Sequence, residues 1–301
     1  MKEQSNQQKT PQIILLKSPG WHDYSLLDSG NGRKLERFGE CTVIRPEVQA
    51  MWQPSAPQSE WQRADAEFKP GPGENGGNWV ARKELPERWQ MSYNNLRFWA
   101  MLSGSRHLGV FPEQATHWDW ISERIQQASR PLKVLNLFGY TALASLIAAR
   151  AGAQVTHVDA SKKVITWGRE NQTLSGLEER PIRWLVDDAF KFVAREGRRA
   201  SQYDGLILDP PKFGRGPKGE IWEFFKLMPD LLSACRNLLS PKPVFVVLTA
   251  YAVATSSLTL YYSLKDLLTG MKGKFEVGEL ITEERSAGHC ISNALFVRWS
   301  I

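Results

Sequence analysis

The residues best suited to chemistry stand at the ends of four successive apolar runs. An apolar run over 133 to 138 breaks at Gly139, and from Thr141 an Ala- and Leu-rich helical pattern continues to Arg150. Asn136, Phe138, Gly139, Tyr140 and Thr141 therefore lie on a sharp strand-to-helix turn, where free backbone N–H groups face any ligand. The second run, Gln154 to Val158, ends in Asp159-Ala160-Ser161. An acid roughly 20 residues beyond such a turn reaches both hydroxyls of a ribose. Ser161 is the expected N-cap of a helix to about Ser175. The third run, Ile182 to Val186, enters Asp187-Asp188-Ala189-Phe190, which puts a carboxylate in place for an adenine amino group.

The fourth run, Tyr203 to Leu208, enters Asp209-Pro210-Pro211. Two prolines fix φ and remove two N–H donors, so this corner is stiff and presents its carbonyls outward. A rigid acid flanked by carbonyls suits holding an amino group or ring nitrogen for in-line attack on a sulfonium methyl. One glycine in a turn, or one Asp after a strand, is ordinary turn chemistry. The order and spacing of all four carry the reading, a methyltransferase that uses S-adenosylmethionine. A nucleotide-binding oxidoreductase would need Gly-x-Gly-x-x-Gly after the first run, and Asn136 to Ala142 holds one glycine.

These residues resemble the class I methyltransferases, and within them the bacterial ribosomal-RNA large-subunit methyltransferases with an Asp-Pro-Pro-Lys-Phe motif. Asn136-Leu-Phe-Gly-Tyr-Thr141, Val158-Asp-Ala-Ser161, Asp187-Asp-Ala-Phe190 and Asp209-Pro-Pro-Lys-Phe213 correspond to its four motifs, and the likeness covers about 108 to 300. The resemblance implies Phe138, Gly139 and Tyr140 at the methionine end of the cofactor, Asp159 at the ribose and Asp188 at the adenine. It also implies that Gly109-Val-Phe-Pro-Glu-Gln114 closes over the cofactor, bringing Glu113 and Gln114 to the site. Asp209 would orient the acceptor, Pro210 would present a carbonyl and Phe213 would stack on the base. Ala142 stands where the family often has Gly, which is expected to start the helix better.

Relatives that methylate carbon 5 of cytosine carry a Cys after the fifth strand, because attack at carbon needs a thiolate adduct. Val246 to Ala252 contains none. Of the three cysteines, Cys41, Cys235 and Cys290, Cys235 is expected to be packed in a helix. Cys290, beside His289, is expected in a loop between the last two strands. They are too few and scattered for a metal site or a disulfide framework, so direct transfer to a nitrogen or hydroxyl is expected, with no metal.

The elements that position these residues predict an α/β fold. The last two runs, Phe275 to Ile281 and Asn293 to Ser300, form a hairpin that completes a seven-stranded, doubly wound, mostly parallel sheet over 106–301. Residues 1–105 are expected to form a small, Trp-rich, mainly β domain with a Gly-Asn-Gly turn at 30–32 and a Pro/Gly-rich excursion at 53–78. The stretch 86–102 reads as partly helical, with a strand inside it as the alternative. Trp52, Trp61, Trp79, Trp89, Trp99, Trp118 and Trp120 supply either a core for this region or a surface for unpaired bases.

A net charge of +6 and a pI near 9.2 favour a polyanionic partner such as RNA. Lys212, Arg215 and Lys218, interleaved with Gly and Pro, read as a basic loop over the reaction site that tracks phosphates or stays solvated. Arg195, Arg198 and Arg199 read as the basic end of a helix. No long apolar run and no signal-peptide core appear, so no membrane and a cytoplasmic setting are expected. A small-molecule or protein methyltransferase with the first region as a lid, and an RNA-binding module without catalysis, are the alternatives. Composition leaves the oligomeric state open.

Overall fold

The computed structural model describes residues 10–71 and 76–301. Eight strands build the central sheet: β1 (Ile13–Lys17), β2 (Lys133–Leu137), β3 (Gln154–Asp159), β4 (Ile182–Val186), β5 (Gly205–Leu208), β6 (Phe245–Tyr251), β7 (Lys274–Glu283) and β8 (Cys290–Ser300). Their order is β1-β7-β8-β6-β5-β2-β3-β4, and only β8 runs antiparallel to its neighbours. The seven expected strands are all present. The eighth, β1, is the short apolar run near the start, which pairs parallel with β7 from Ile13↔Val277 to Lys17↔Ile281. Gly278 permits this edge pairing, because a Cβ there would lie 1.7 Å from the Ile14 carbonyl oxygen.

Alternation along β2 shows why this strand is central. Leu135 and Leu137 join the apolar cluster under α4 (Ala189–Arg198), α5 (Phe224–Arg236) and α6 (Ser257–Leu267), while Val134 joins the cluster under α1 (Ala115–Gln127) and α2 (Leu143–Arg150) on the opposite face. The remaining helix beside the sheet, α3 (Lys162–Leu174), is capped by the Ser161 side chain, as expected. Among the described residues no helix is long and apolar enough to cross a membrane.

The region before residue 105 holds a five-stranded sheet spanning Tyr24 to Ala81 and a separate hairpin, Trp89–Tyr93 with Leu96–Ala100. Asn31 and Gly32 turn the first hairpin with φ of 50° and 72°, the left-handed pair a tight right-twisted hairpin requires. Of the two readings of 86–102 the helical one is corrected and the strand alternative holds: Asn94 and Asn95, at φ of 44° and 65°, reverse the chain between two strands. The 53–78 excursion contains a short helix, Gln58–Gln62, and two strands, Ala66–Pro70 and Gly77–Ala81; Pro72 and Gly73 lie outside the described residues. None of the seven tryptophans is exposed: Trp61 and Trp118 are buried and the rest half-buried. Trp61, Trp79, Trp89, Trp118 and Trp120 belong to apolar clusters, with Trp21 against Tyr93 at 5.0 Å as a further member, whereas Trp52 donates to Ser29 Oγ at 3.1 Å and Trp99 carries the Arg88 guanidinium 4.3 Å from its ring. Phe38, Met91 and Phe98 share one apolar cluster with Val110, Trp118, Leu143 and Leu146.

Candidate active site

At the end of β2 the chain enters an unusual turn. Phe138, Tyr140 and Ala142 take φ of 57°, 50° and 74°, a left-handed conformation at three alternate non-glycine residues. Such backbone is costly and gathers at functional sites. Gly139 is required by contact, since a Cβ there would sit 2.3 Å from His157 Cε1. Ala142 precedes the helix, which starts at Leu143. The expectation that Ala142 starts the helix better is thus overturned, because helix propensity counts only inside the helix and a left-handed position favours glycine.

The turn is tied to the next strands by polar contacts. Asp159 Oδ2 accepts the Tyr140 N–H at 2.9 Å and Oδ1 accepts the Ser161 N–H at 2.9 Å. Burial pushes the Asp159 carboxyl up, and the N–H groups of Ser161, Tyr140 and Ala160 oppose that shift. Asn136 donates to Ser145 Oγ at 2.9 Å, and that oxygen lies 2.9 Å from His157 Nδ1, a polar brace beneath the turn. One rung further, Asp187 N–H donates to the Asp159 carbonyl at 3.0 Å. The Asp187 carboxylate accepts the Asp188 N–H and pairs with Arg195. Asp188 Oδ1 caps α4 by accepting from Lys191 N–H at 2.9 Å, with buried Ala189 as the first helical residue.

The segment 109–114 closes the front of the turn. Thr141 Oγ1 donates to the Gly109 carbonyl at 2.6 Å, and Gly109, at φ 96°, packs where a Cβ would strike Trp167 at 2.1 Å. The Gln114 amide then reaches Asp209 Oδ2 at 3.2 Å. Burial, with the charge of nearby Glu113 adding to it, raises the Asp209 carboxyl to about 7. A cleft opens here, lined by Phe111, Gln114, Phe138, Tyr140, Asp209 and Thr249 among others. Its few polar groups in apolar walls suit a small organic ligand.

Gln114, Asn136, Phe138, Gly139, Tyr140, Thr141 and Asp209 are thus brought to one cleft. Asp159 with Ala160 and Ser161, then Asp187, Asp188 and Ala189, continue along the same carboxyl edge without lining that cleft. The basic loop is corrected: Phe213–Arg215 pairs with Ile221–Glu223 as a two-stranded hairpin, and α5 starts only at Phe224. Trp222 fixes it, donating to the Pro211 carbonyl at 2.7 Å and packing 4.9 Å from Phe138. Pro210 is buried at the corner, whereas Lys212, Phe213, Arg215 and Lys218 are exposed and do not line the cleft. Phe213 is 48% exposed.

Cys41 and Cys235 are buried, their thiols pushed up to about 12 by burial. Cys290 is exposed and begins β8 opposite Glu283, which corrects its loop assignment. Phe111, Thr249 and Tyr251 escaped the sequence reading. The strand-end rule that found Asp209 also points to Tyr251, the last residue of β6.

Comparison with known proteins agrees with this architecture. The S-adenosylmethionine-dependent methyltransferase family matches residues 53–246. The SAM-dependent methyltransferase from Agrobacterium tumefaciens superposes with a TM-score of 0.92 at 47% identity, covering 97% of both chains. A methyltransferase solved in complex with SAH shares the fold with a TM-score of 0.72 at 17% identity, covering 93% of this chain and 75% of its own. The ribosomal RNA large subunit methyltransferase K/L of Shewanella baltica is 37% identical over 121 residues, 39% of this chain and 16% of that relative. The matched segment is thus about a sixth of the relative's length. The chain belongs to the S-adenosylmethionine-dependent methyltransferase family, as an enzyme whose cofactor is S-adenosylmethionine.

Proposed function

We propose that the chain methylates a base of ribosomal RNA, by direct transfer with no covalent cysteine adduct. The observation that carries this reading is Asp209: a half-buried acid at a stiff double-proline corner, held by Gln114 and lining the cleft. The partial likeness to ribosomal RNA large subunit methyltransferases K/L supports the substrate class. The five-stranded sheet of Tyr24 to Ala81 would help to grip the RNA, whereas Ile13–Lys17 belongs to the central sheet.

The left-handed turn, the carboxylate at the end of β3 and the residues that line the cleft fit S-adenosylmethionine. Phe138, Gly139, Tyr140 and Thr141, with Asn136 bracing them from beneath and Gln114 in front, would hold its methionine end. Asp159, beside Ala160 and Ser161, would hold the ribose. Asp188, beside Asp187 and Ala189, would hold the adenine through the carboxylate oxygen not used for capping. Bound there, the cofactor supplies an electrophilic methyl group on a positively charged sulfur.

The chain's own residues do the rest. Asp209 accepts a hydrogen bond from the acceptor's amino or ring N–H and takes up the proton it releases, a task suited to a carboxyl near 7. The Pro210 carbonyl offers a second acceptor to the same group, and alignment supplies most of the rate for a nucleophile that already has its lone pair. Phe213 extends an aromatic face from the hairpin, while Lys212, Arg215 and Lys218 neutralise phosphates. No cysteine lines the cleft, which supports transfer without an adduct. Labelled cofactor offered to total RNA and to nuclease-treated extract tests this: label should vanish with complete RNA digestion, and label that persists would refute the RNA assignment.

A further inference from the structure

The aromatic residue expected beside the acceptor, Phe213, stands outside the cleft, whereas Phe111 and Tyr140 line it and His107 and Tyr251 pack against Phe111. Phe111 lies 5.4 Å from Tyr140 and 5.6 Å from Tyr251, and His107 lies 4.8 Å from Phe111 and 5.6 Å from Tyr251. All four are only partly buried, and Phe111 and Tyr140 line the cleft that contains Asp209. Tyr251 ends β6, the strand beside β5 in the register Leu208↔Leu248, so it rises from the same carboxyl edge as Asp209.

The Tyr251 ring is held from outside the sheet. Arg106 donates to its hydroxyl at 2.6 Å and places its guanidinium 5.6 Å from the ring. The Arg106 carbonyl in turn accepts from Arg45 at 3.2 Å, and Arg45 is locked to Glu36 by two bonds of 2.7 Å. Directly after Tyr251, Ala252 takes φ 54°, strain that persists only where the surroundings fix the chain. Partly open aromatic faces next to a polar acid in a concave site match a planar ring that stacks and hydrogen-bonds along one edge.

We propose that Phe111 and Tyr251, backed by His107, form the surface that receives a planar nitrogen heteroaromatic ring, and that Arg106 and Arg45 are its positioning residues. This rests on the reading of an RNA base as acceptor. It also gives the N-terminal strands a direct hold on the acceptor pocket through Arg45.

The test measures kcat and KM for methyl transfer to ribosomal RNA purified from cells lacking this gene, using wild type, Phe111→Leu, Tyr251→Leu, Tyr251→Phe and Arg106→Ala. Calorimetry with S-adenosylhomocysteine runs beside it for each variant. Loss of either stacking ring should lower kcat/KM for RNA by about tenfold or more, and loss of the Tyr251 ring, which does not line the cofactor cleft, should leave the affinity for S-adenosylhomocysteine in place. Tyr251→Phe keeps the ring and loses the Arg106 bond, so it should fall between wild type and Tyr251→Leu. Arg106→Ala should act mainly on KM, and these two variants carry the test if a leucine variant does not fold. Wild-type kcat/KM in the variants that fold would overturn the inference and leave the RNA reading intact. Label entering only a non-aromatic acceptor in protein or small molecules would overturn both.

Discussion

Gln114 donates its side-chain amide to Asp209 Oδ2 at 3.2 Å, joining the segment before α1 to the end of β5 across 95 positions of sequence. This donor stabilises the ionised carboxylate against the burial and the Glu113 charge that raise it. If Asp209 must be ionised to act, kcat/KM should fall as pH drops through about 7. Gln114→Leu removes the donor and should move this acid limb upward. A pH–rate profile of the two proteins checks it, and an unmoved limb would separate Gln114 from Asp209.

Asp209 also predicts a stability effect of opposite sign to its catalytic one. Its folded-state value, near 7, lies above the ordinary 3.8, so the folded state binds more protons than the unfolded state between those values. Stability then falls as pH rises from about 4 to about 7, and the deficit remains above. Asp209→Asn should abolish transfer yet raise Tm at pH 8 by at least about 2 °C, with little gain at pH 4. Thermal melts at the two pH values decide; a lower Tm at pH 8 would contradict the buried-charge account.

Gly139 is needed for space against His157. Gly139→Ala should destabilise by about 1–3 kcal/mol through overpacking and weaken S-adenosylhomocysteine binding. His157→Ala in the same chain makes room, so the double variant should lose less than the sum of the single losses. Denaturant titrations of the four proteins of this cycle give the coupling, and simple additivity would refute the contact explanation.

Arg45 and Glu36 form a buried pair between adjacent N-terminal strands, with Tyr24 donating to Glu36 at 2.9 Å. Burial raises the Glu36 carboxyl, but the Arg45 and Lys34 charges outweigh it and hold the group below the usual range. Arg45→Ala strands that carboxylate and should cost about 3–5 kcal/mol. Glu36→Gln with Arg45→Met removes both charges and should cost clearly less, as measured by urea unfolding.

The sheet and its reactive edge were legible because their signals are local: an apolar run, a break, then an acid or prolines, repeated in order from Lys133 to Pro211. What was not legible depends on partners far away in sequence. Ile13–Lys17 reads as a short apolar run and becomes a strand only against β7. Phe213 to Glu223 has the Gly, Pro and Lys content of a loop, yet the Trp222 contacts with Pro211 and Phe138 set it as a hairpin. Heptad-like spacing of Leu85, Trp89, Leu96 and Trp99 resembled a helix, although Asn94-Asn95 is the stronger signal for a turn. The aromatic wall was hidden because Tyr251 lies 140 positions beyond Phe111 in the sequence and meets the His107–Phe111 segment only in the fold.

Asp159 and the cleft at Asp209 share one carboxyl edge, along which the proposed cofactor would run from its ribose at Asp159 to its methyl group at the Asp209 corner. Calorimetric titration of S-adenosylhomocysteine into wild type, Asp159→Ala and Asp209→Ala, paired with a transfer assay, separates the two functions. The expected result is binding by wild type and Asp209→Ala, loss of transfer in Asp209→Ala, and loss of binding in Asp159→Ala. Full-affinity binding by Asp159→Ala, or undiminished transfer by Asp209→Ala, would contradict it.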